Sequence, residues 1–125
     1  MLERKTYPDL PPPAGPYVHA VRSGGHLFVS GLTAFGSPAE NGSTVEQLDH
    51  VYSQLARIAE NEGIGLAELV KVTVLVTDCD DLEGIRRTLE KHYGGHYPAS
   101  SLIRVAGLFA PALKVEVEAV MAVAE

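Results

Sequence analysis

The run Val70-Lys71-Val72-Thr73-Val74-Leu75-Val76-Thr77 limits the choice of fold more than any other stretch of this chain. Its β-branched residues lose rotamer freedom in a helix and fit a pleated strand. With apolar residues crowding its partial alternation, it is expected in the interior of a sheet, where neighbouring strands and packed helices take it out of water. The rest of the chain must supply both.

Two segments supply the helices. Ser43 is followed three residues later by Glu46, a capping-box pattern, and Val45, Leu48, Val51, Tyr52, Leu55, Ile58 and Ala59 then recur on one helical face. This predicts a helix over Thr44–Asn61 with Gly63 as its stop. Asp80 with Glu83 makes a second cap-like start, and Leu82, Ile85, Leu89 and Tyr93 give a shorter amphipathic helix ending at Gly94-Gly95.

Four further runs read as strands. Tyr17–Val21 and His26–Ser30 are joined by Ser23-Gly24-Gly25, whose glycines suit a tight hairpin turn. Ser100–Ala106 and Leu113–Val123 close the chain around a loop at Phe109–Pro111. In the last strand Val115, Val117, Ala119, Met121 and Val123 oppose Lys114, Glu116, Glu118, Val120 and Ala122; in the strand before it Ser101, Ile103 and Val105 oppose Ser100, Leu102 and Arg104. The helices are expected to cover the more apolar sets. The other face, with Glu116, Leu102, Val120 and Ala122, is left for self-association or for water. Tyr7–Pro16, carrying Pro8, Pro11, Pro12 and Pro13, reads as a loop.

At 125 residues the chain has room for one domain spanning 1–125, and 46% hydrophobic with 21% charged residues is ordinary globular usage. A net charge of −6 with scattered basic residues disfavours nucleic acid as a partner, since phosphate binding needs clustered Lys and Arg. No apolar run reaches the roughly 20 residues of a membrane span, and the N-terminus leads into prolines instead of a signal peptide. With Cys79 alone, in an acidic setting, a soluble cytoplasmic protein is expected. The histidines form no metal set: Gly94-Gly95 separates His92 from His96, and only His19, close to Tyr17, is a candidate cleft residue, with strand surface its other reading.

Three segments, in this order and spacing, resemble the RidA (YjgF) family: Gly15-Pro16-Tyr17 with Phe28-Val29-Ser30-Gly31; Val70 to Asp78; and Pro98-Ala99-Ser100-Ser101 followed by Val115-Glu116-Val117-Glu118-Ala119. No one segment is specific; their co-occurrence over nearly the whole chain is. The resemblance implies an α+β, chorismate-mutase-like fold: a six-stranded mixed sheet with two helices on one face, forming a homotrimer with three intersubunit clefts. It also implies hydrolysis of enamine or imine acids to keto acids and ammonia, with no metal or organic cofactor.

The resemblance places Glu116 as the catalytic, water-holding acid, Tyr17 as a cleft-lining phenol, and Ser30 with Gly31 at a strand end lining the cleft. Each has a plainer alternative: an exposed strand charge, a packing aromatic, a strand-to-loop turn. The departures are as informative. Ser100 stands where most active members have an arginine that grips a substrate carboxylate. Leu102 replaces a frequent cysteine or threonine, Arg86 replaces an asparagine, and the loop 107–113 is one residue longer. Arg104 and Arg86 are candidate substitute cations, against an ion pair of Arg104 with Glu116 or Glu118 (or a trimer contact) and a solvated helix face for Arg86. Two functions are therefore expected: a RidA-like hydrolase of small reactive imines or enamines, and a non-catalytic metabolite-binding or regulatory trimer. Ribonuclease activity is disfavoured by the acidic charge.

Overall fold

The computed structural model describes residues 1–124. Its elements run β1 (Leu2–Lys5), β2 (Ala20–Ser23), β3 (His26–Leu32), α1 (Thr44–Asn61), a 3-10 turn (Leu66–Glu68), β4 (Leu69–Val76), α2 (Leu82–Tyr93), β5 (Ala99–Arg104) and β6 (Val115–Ala122). The strands form one six-stranded mixed sheet in the order β1-β2-β3-β6-β4-β5. The Val70–Thr77 run thus becomes the interior strand β4, antiparallel to β6 and parallel to β5. A parallel pair needs a crossover, and α2 is it.

The alternation of β6 divides the sheet as read. Val115, Val117, Ala119 and Met121 turn inward with Val72, Val74 and Val76 of β4, and α1 lays Leu48, Val51, Leu55 and Ile58 over them, all fully or almost fully buried. At roughly 1.5–3 kcal/mol per buried side chain, that helical stripe contributes several times the ~1 kcal/mol of a good cap. Burial holds α1 in place; the cap sets where it starts. Ser43 accepts from the Glu46 N–H and Glu46 accepts from the Ser43 N–H, the reciprocal capping box.

Three expectations are corrected. The cap of α2 is Asp81, one residue past Asp80, accepting from the Gly84 N–H at 3.0 Å. Gly84 suits this, since a Cβ there would lie 2.6 Å from the Asp81 carboxyl carbon. The hairpin strand begins at Ala20, so Tyr17 and Val18 stay in the preceding loop. The faces of β5 are also the reverse of those expected: Ser100, Leu102 and Arg104 pair with the inward residues Val72, Val74 and Val76, whereas Ser101 and Ile103 pair with Thr73 and Leu75 on the open face. The physical reason is that β5 is an edge strand that no helix covers. Leu102 and Ile103 are both about two-fifths exposed, so side-chain polarity carries no information about which face is which.

The sixth strand, β1, has no apolar pattern and was not predicted from one. It is held by pairing with β2 and by Lys5, whose Nζ lies 3.1 Å from the Glu62 carboxylate. Glu62 also accepts from the Tyr7 hydroxyl at 2.8 Å. An acid at a helix C-terminus opposes the helix dipole, and these donors offset it.

Candidate active site

The site grows from an irregularity between β3 and β6. Val29 pairs with Ala119 and Leu32 with Val117, so β3 spends one more residue than β6 over this stretch, a bulge at Ser30-Gly31. The bulge lies beside the outward residue Glu116, which Leu75 flanks on the β4 side. Because residue 31 is glycine, the Glu116 side chain can lie against its backbone: a Cβ at that position would sit 2.8 Å from the carboxyl carbon.

Glu116 is half-buried, and among the described residues no hydrogen bond or ion pair reaches its carboxylate. Burial, and then the neighbouring charge of Glu118, push its pKa above the ordinary glutamate value. A carboxyl group held closer to neutrality gives and takes protons more readily near physiological pH.

Above this floor opens a cavity of about 560 Å3, within the range of small-molecule sites. One wall is the proline loop, Pro11 to Ala14, with Tyr17; opposite stand Phe35 and Phe109, edge to face with centroids 5.0 Å apart. Gln54 of α1 reaches the rim and donates to the Thr33 carbonyl at 2.9 Å. Ser30 donates its hydroxyl proton to the Val18 carbonyl at 2.6 Å, leaving its lone pairs for the cavity. The Tyr17 hydroxyl accepts from the Ala14 N–H at 3.2 Å, which folds the ring against its own loop.

His19 lines the cavity beside this wall and holds it in place. Buried to 5% exposure, it accepts from the Tyr7 N–H at Nδ1 (2.9 Å), so Nε2 carries the proton that goes to the Pro11 carbonyl (2.8 Å). Its ring stacks on Tyr7. It is thus neither strand surface nor a free ligand group: both nitrogens are committed to the loop.

Of the residues singled out from the sequence, Glu116, Tyr17, Ser30, Gly31 and the candidate cleft residue His19 come together around this cavity. Ser100, Leu102 and Arg104 do not line it; they lie on β5, separated from β6 by β4 and directed to the helix side. That register also rules out the expected ion pair of Arg104 with Glu116 or Glu118, which point from the other face. Arg86 lies on an exposed face of α2 beside Glu83, 3.8 Å away. Phe35, Phe109 and Gln54 were missed. For Gln54 a signal existed: it lies seven residues from the fully buried Gln47, along the apolar side of α1. The phenylalanines sit in loops that no periodicity marks.

A two-helix, six-stranded α+β fold with a carboxylate-floored cavity beside a bulged strand defines a class of small-molecule-binding proteins. The chain belongs to the endoribonuclease L-PSP family, whose model matches residues 8–123, and the YjgF/RidA resemblance of its motifs is borne out. It is 37% identical to the RutC family protein y4sK of Sinorhizobium fredii, over 97% of this chain and 98% of the relative. It is 24% identical to the 2-iminobutanoate/2-iminopropanoate deaminase of Dermatophagoides farinae, over 93% and 92%. The crystal structure of the E. coli YjgF gene product superposes with a TM-score of 0.85 at 26% identity, covering 96% of this chain and 98% of that one.

Proposed function

We propose that this protein is a cytoplasmic homotrimeric hydrolase of imines and their enamine tautomers, releasing ammonia and a carbonyl product. The observation that carries the reading is the Glu116 carboxyl: half-buried, without a protein partner, and facing a cavity it shares with Tyr17 and Ser30. Membership of a family that includes a named imine deaminase supports it.

In this reading Glu116 accepts a proton from water as the water oxygen adds to the C=N carbon and the π electrons move to nitrogen, giving a carbinolamine. The same carboxyl returns the proton to nitrogen. The C–N bond breaks, the carbinolamine hydroxyl loses its proton, and the sum is RR′C=NH2+ + H2O → RR′C=O + NH4+. Tyr17 and Ser30 hold the substrate over the acid. The exposed sheet face with Phe28 and Ile103 supports a second and third copy packing there. In such a trimer, with clefts between subunits, Ser100 and Leu102 reach the cleft from a neighbouring copy without adding a charge to it, while Arg104 makes a trimer contact and Arg86 stays on its solvated helix face beside Glu83.

The test is ammonia release from imines generated in situ by amino-acid or amine oxidases, against the uncatalysed rate. Acceleration abolished by Glu116→Gln supports the reading; a rate equal to buffer for every imine overturns it. Among the described residues no Lys or Arg lines the cavity, which favours a second reading, a metabolite-binding trimer without turnover. Ligand-dependent thermal stabilisation with no ammonia release identifies it.

A further inference from the structure

We infer that the cavity selects a nitrogen cation carrying a compact apolar or aromatic group and no carboxylate, with Phe35, Phe109 and Tyr17 as the residues that set this preference. The inference deepens the proposed hydrolase reading and names the substrate class for that site: iminium ions derived from amines instead of imino acids.

Three observations converge. First, charge: among the described residues the lining holds one formal charge, Glu116, and no Lys or Arg. The lysine two residues before it is turned away, Lys114 Nζ donating to the Gly42 carbonyl at 3.0 Å, and Lys71 on the neighbouring strand donates to the Ser101 hydroxyl at 2.9 Å. An incoming carboxylate would lose its water and meet another carboxylate, an unfavourable exchange with no cation in the lining to offset it. A cation meets an unpartnered anion instead.

Second, the rim is aromatic. Phe35, Phe109 and Tyr17 are 44%, 61% and 47% exposed, far more than rings used for packing, and all three border the same opening. Aromatic faces attract cations and cover apolar groups, so such a rim suits a ligand that is both. Phe35 is not loosely placed, because its N–H donates to the Thr33 hydroxyl and the Thr33 carbonyl is held by Gln54.

Third, two of the polar groups that line the cavity can only accept. Ser30 has already donated its hydroxyl proton to Val18, so it offers the cavity lone pairs only, as does the ionised Glu116. A C=NH2+ or NH3+ group brings the donors they lack.

The experiment uses the full chain and two readouts. In calorimetry, 2-phenylethylammonium is expected to bind at least about tenfold more tightly than phenylacetate, and Phe35→Ala and Phe109→Ala are each expected to weaken it about three- to tenfold. Both side chains are exposed, so these variants keep their fold. Equal or tighter binding of phenylacetate, or variants within twofold of the parent, overturns the inference. In the turnover arm, the imine released by a flavin amine oxidase from 2-phenylethylamine is expected to show a higher kcat/KM than the imino acid released by an amino-acid oxidase from phenylalanine. Preference for the imino acid sinks the inference while leaving C=N hydrolysis standing. No acceleration of either imine, with 2-phenylethylammonium still the tighter ligand, sinks the hydrolase reading and leaves the ligand class standing.

Discussion

The Glu116 carboxyl occupies the room that a side chain on Gly31 would need, 2.8 Å separating its carbon from the position of a Cβ there. The contact is between a backbone and the far end of a flexible side chain, so enlarging residue 31 displaces the acid more than it strains the sheet. Gly31→Ala is therefore expected to cost about 1 kcal/mol or less in urea denaturation, while lowering the rate of ammonia release at least tenfold. A Gly31→Ala protein with full activity would show that the position of the acid is immaterial.

The raised pKa of Glu116 has a consequence for stability. Below its ordinary value of 4.5 the group is protonated in folded and unfolded chains alike and costs nothing. As pH rises through the window between that value and the higher folded-state value, the unfolded chain releases its proton first, and the fold loses stability. Glu116→Gln should accordingly be nearly neutral at pH 4 and stabilising at pH 8, by no more than about 1 kcal/mol because partial exposure screens the charge. Paired thermal melts at the two pH values check the sign. Glu118→Gln should narrow the window by removing the second cause.

His19 ties the proline wall to the start of the fold through the Tyr7 N–H and the Pro11 carbonyl. His19→Ala leaves both without their partner and opens a void beside Tyr7, with an expected loss of about 2–4 kcal/mol in chemical denaturation. Ligand affinity should fall with it, since Pro11 to Ala14 line the cavity.

Gln47 is fully buried and spends its amide N–H groups on the carbonyls of Glu40, Gly42 and Ala112, while its Oε1 accepts from the Lys114 N–H at 2.8 Å. Gln47→Glu turns the donor into an acceptor facing three carbonyls. At neutral pH it should destabilise more than Gln47→Ala, for which about 2–3 kcal/mol is expected. A less damaging glutamate would contradict this hydrogen-bond arrangement.

The open sheet face presents Phe28, half-exposed beside Val120, and Ile103 at the far edge. Phe28→Asp places a charge where copies would meet. Sedimentation equilibrium should show a trimer for the parent chain and smaller species for the variant; an unchanged trimer would move the interface elsewhere.

Much of this architecture was written locally in the chain. α1 matched its capping box and its stripe from Leu48 to Ala59, because cap chemistry and burial periodicity are both short-range signals; in the first turn Thr44 and Gln47 are buried in place of Val45. β4 and β6 were legible for the same reason. β1 was not: Leu2-Glu3-Arg4-Lys5 has no buried face, and long-range pairing with the Lys5–Glu62 and Glu3–Arg22 ion pairs makes it a strand. β5 misled because an edge strand is wet on both sides. In the site, Glu116 and Gly31 could be named, yet their contact depends on a bulge that no residue pattern announces. The aromatic rim was invisible since it forms only when the loops after β3 and β5 fold toward each other.

The bulged strand and the looped rim answer to different masters. Ser30, Gly31 and Glu116 are seated by the strands themselves, so their positions follow from how the sheet pairs. Phe35 and Phe109 stand on loops and touch little of the core. Substitutions at the rim are therefore nearly free of structural consequence, and a lineage with this scaffold can exchange one ligand for another by drifting at its margin while its reactive floor stays fixed.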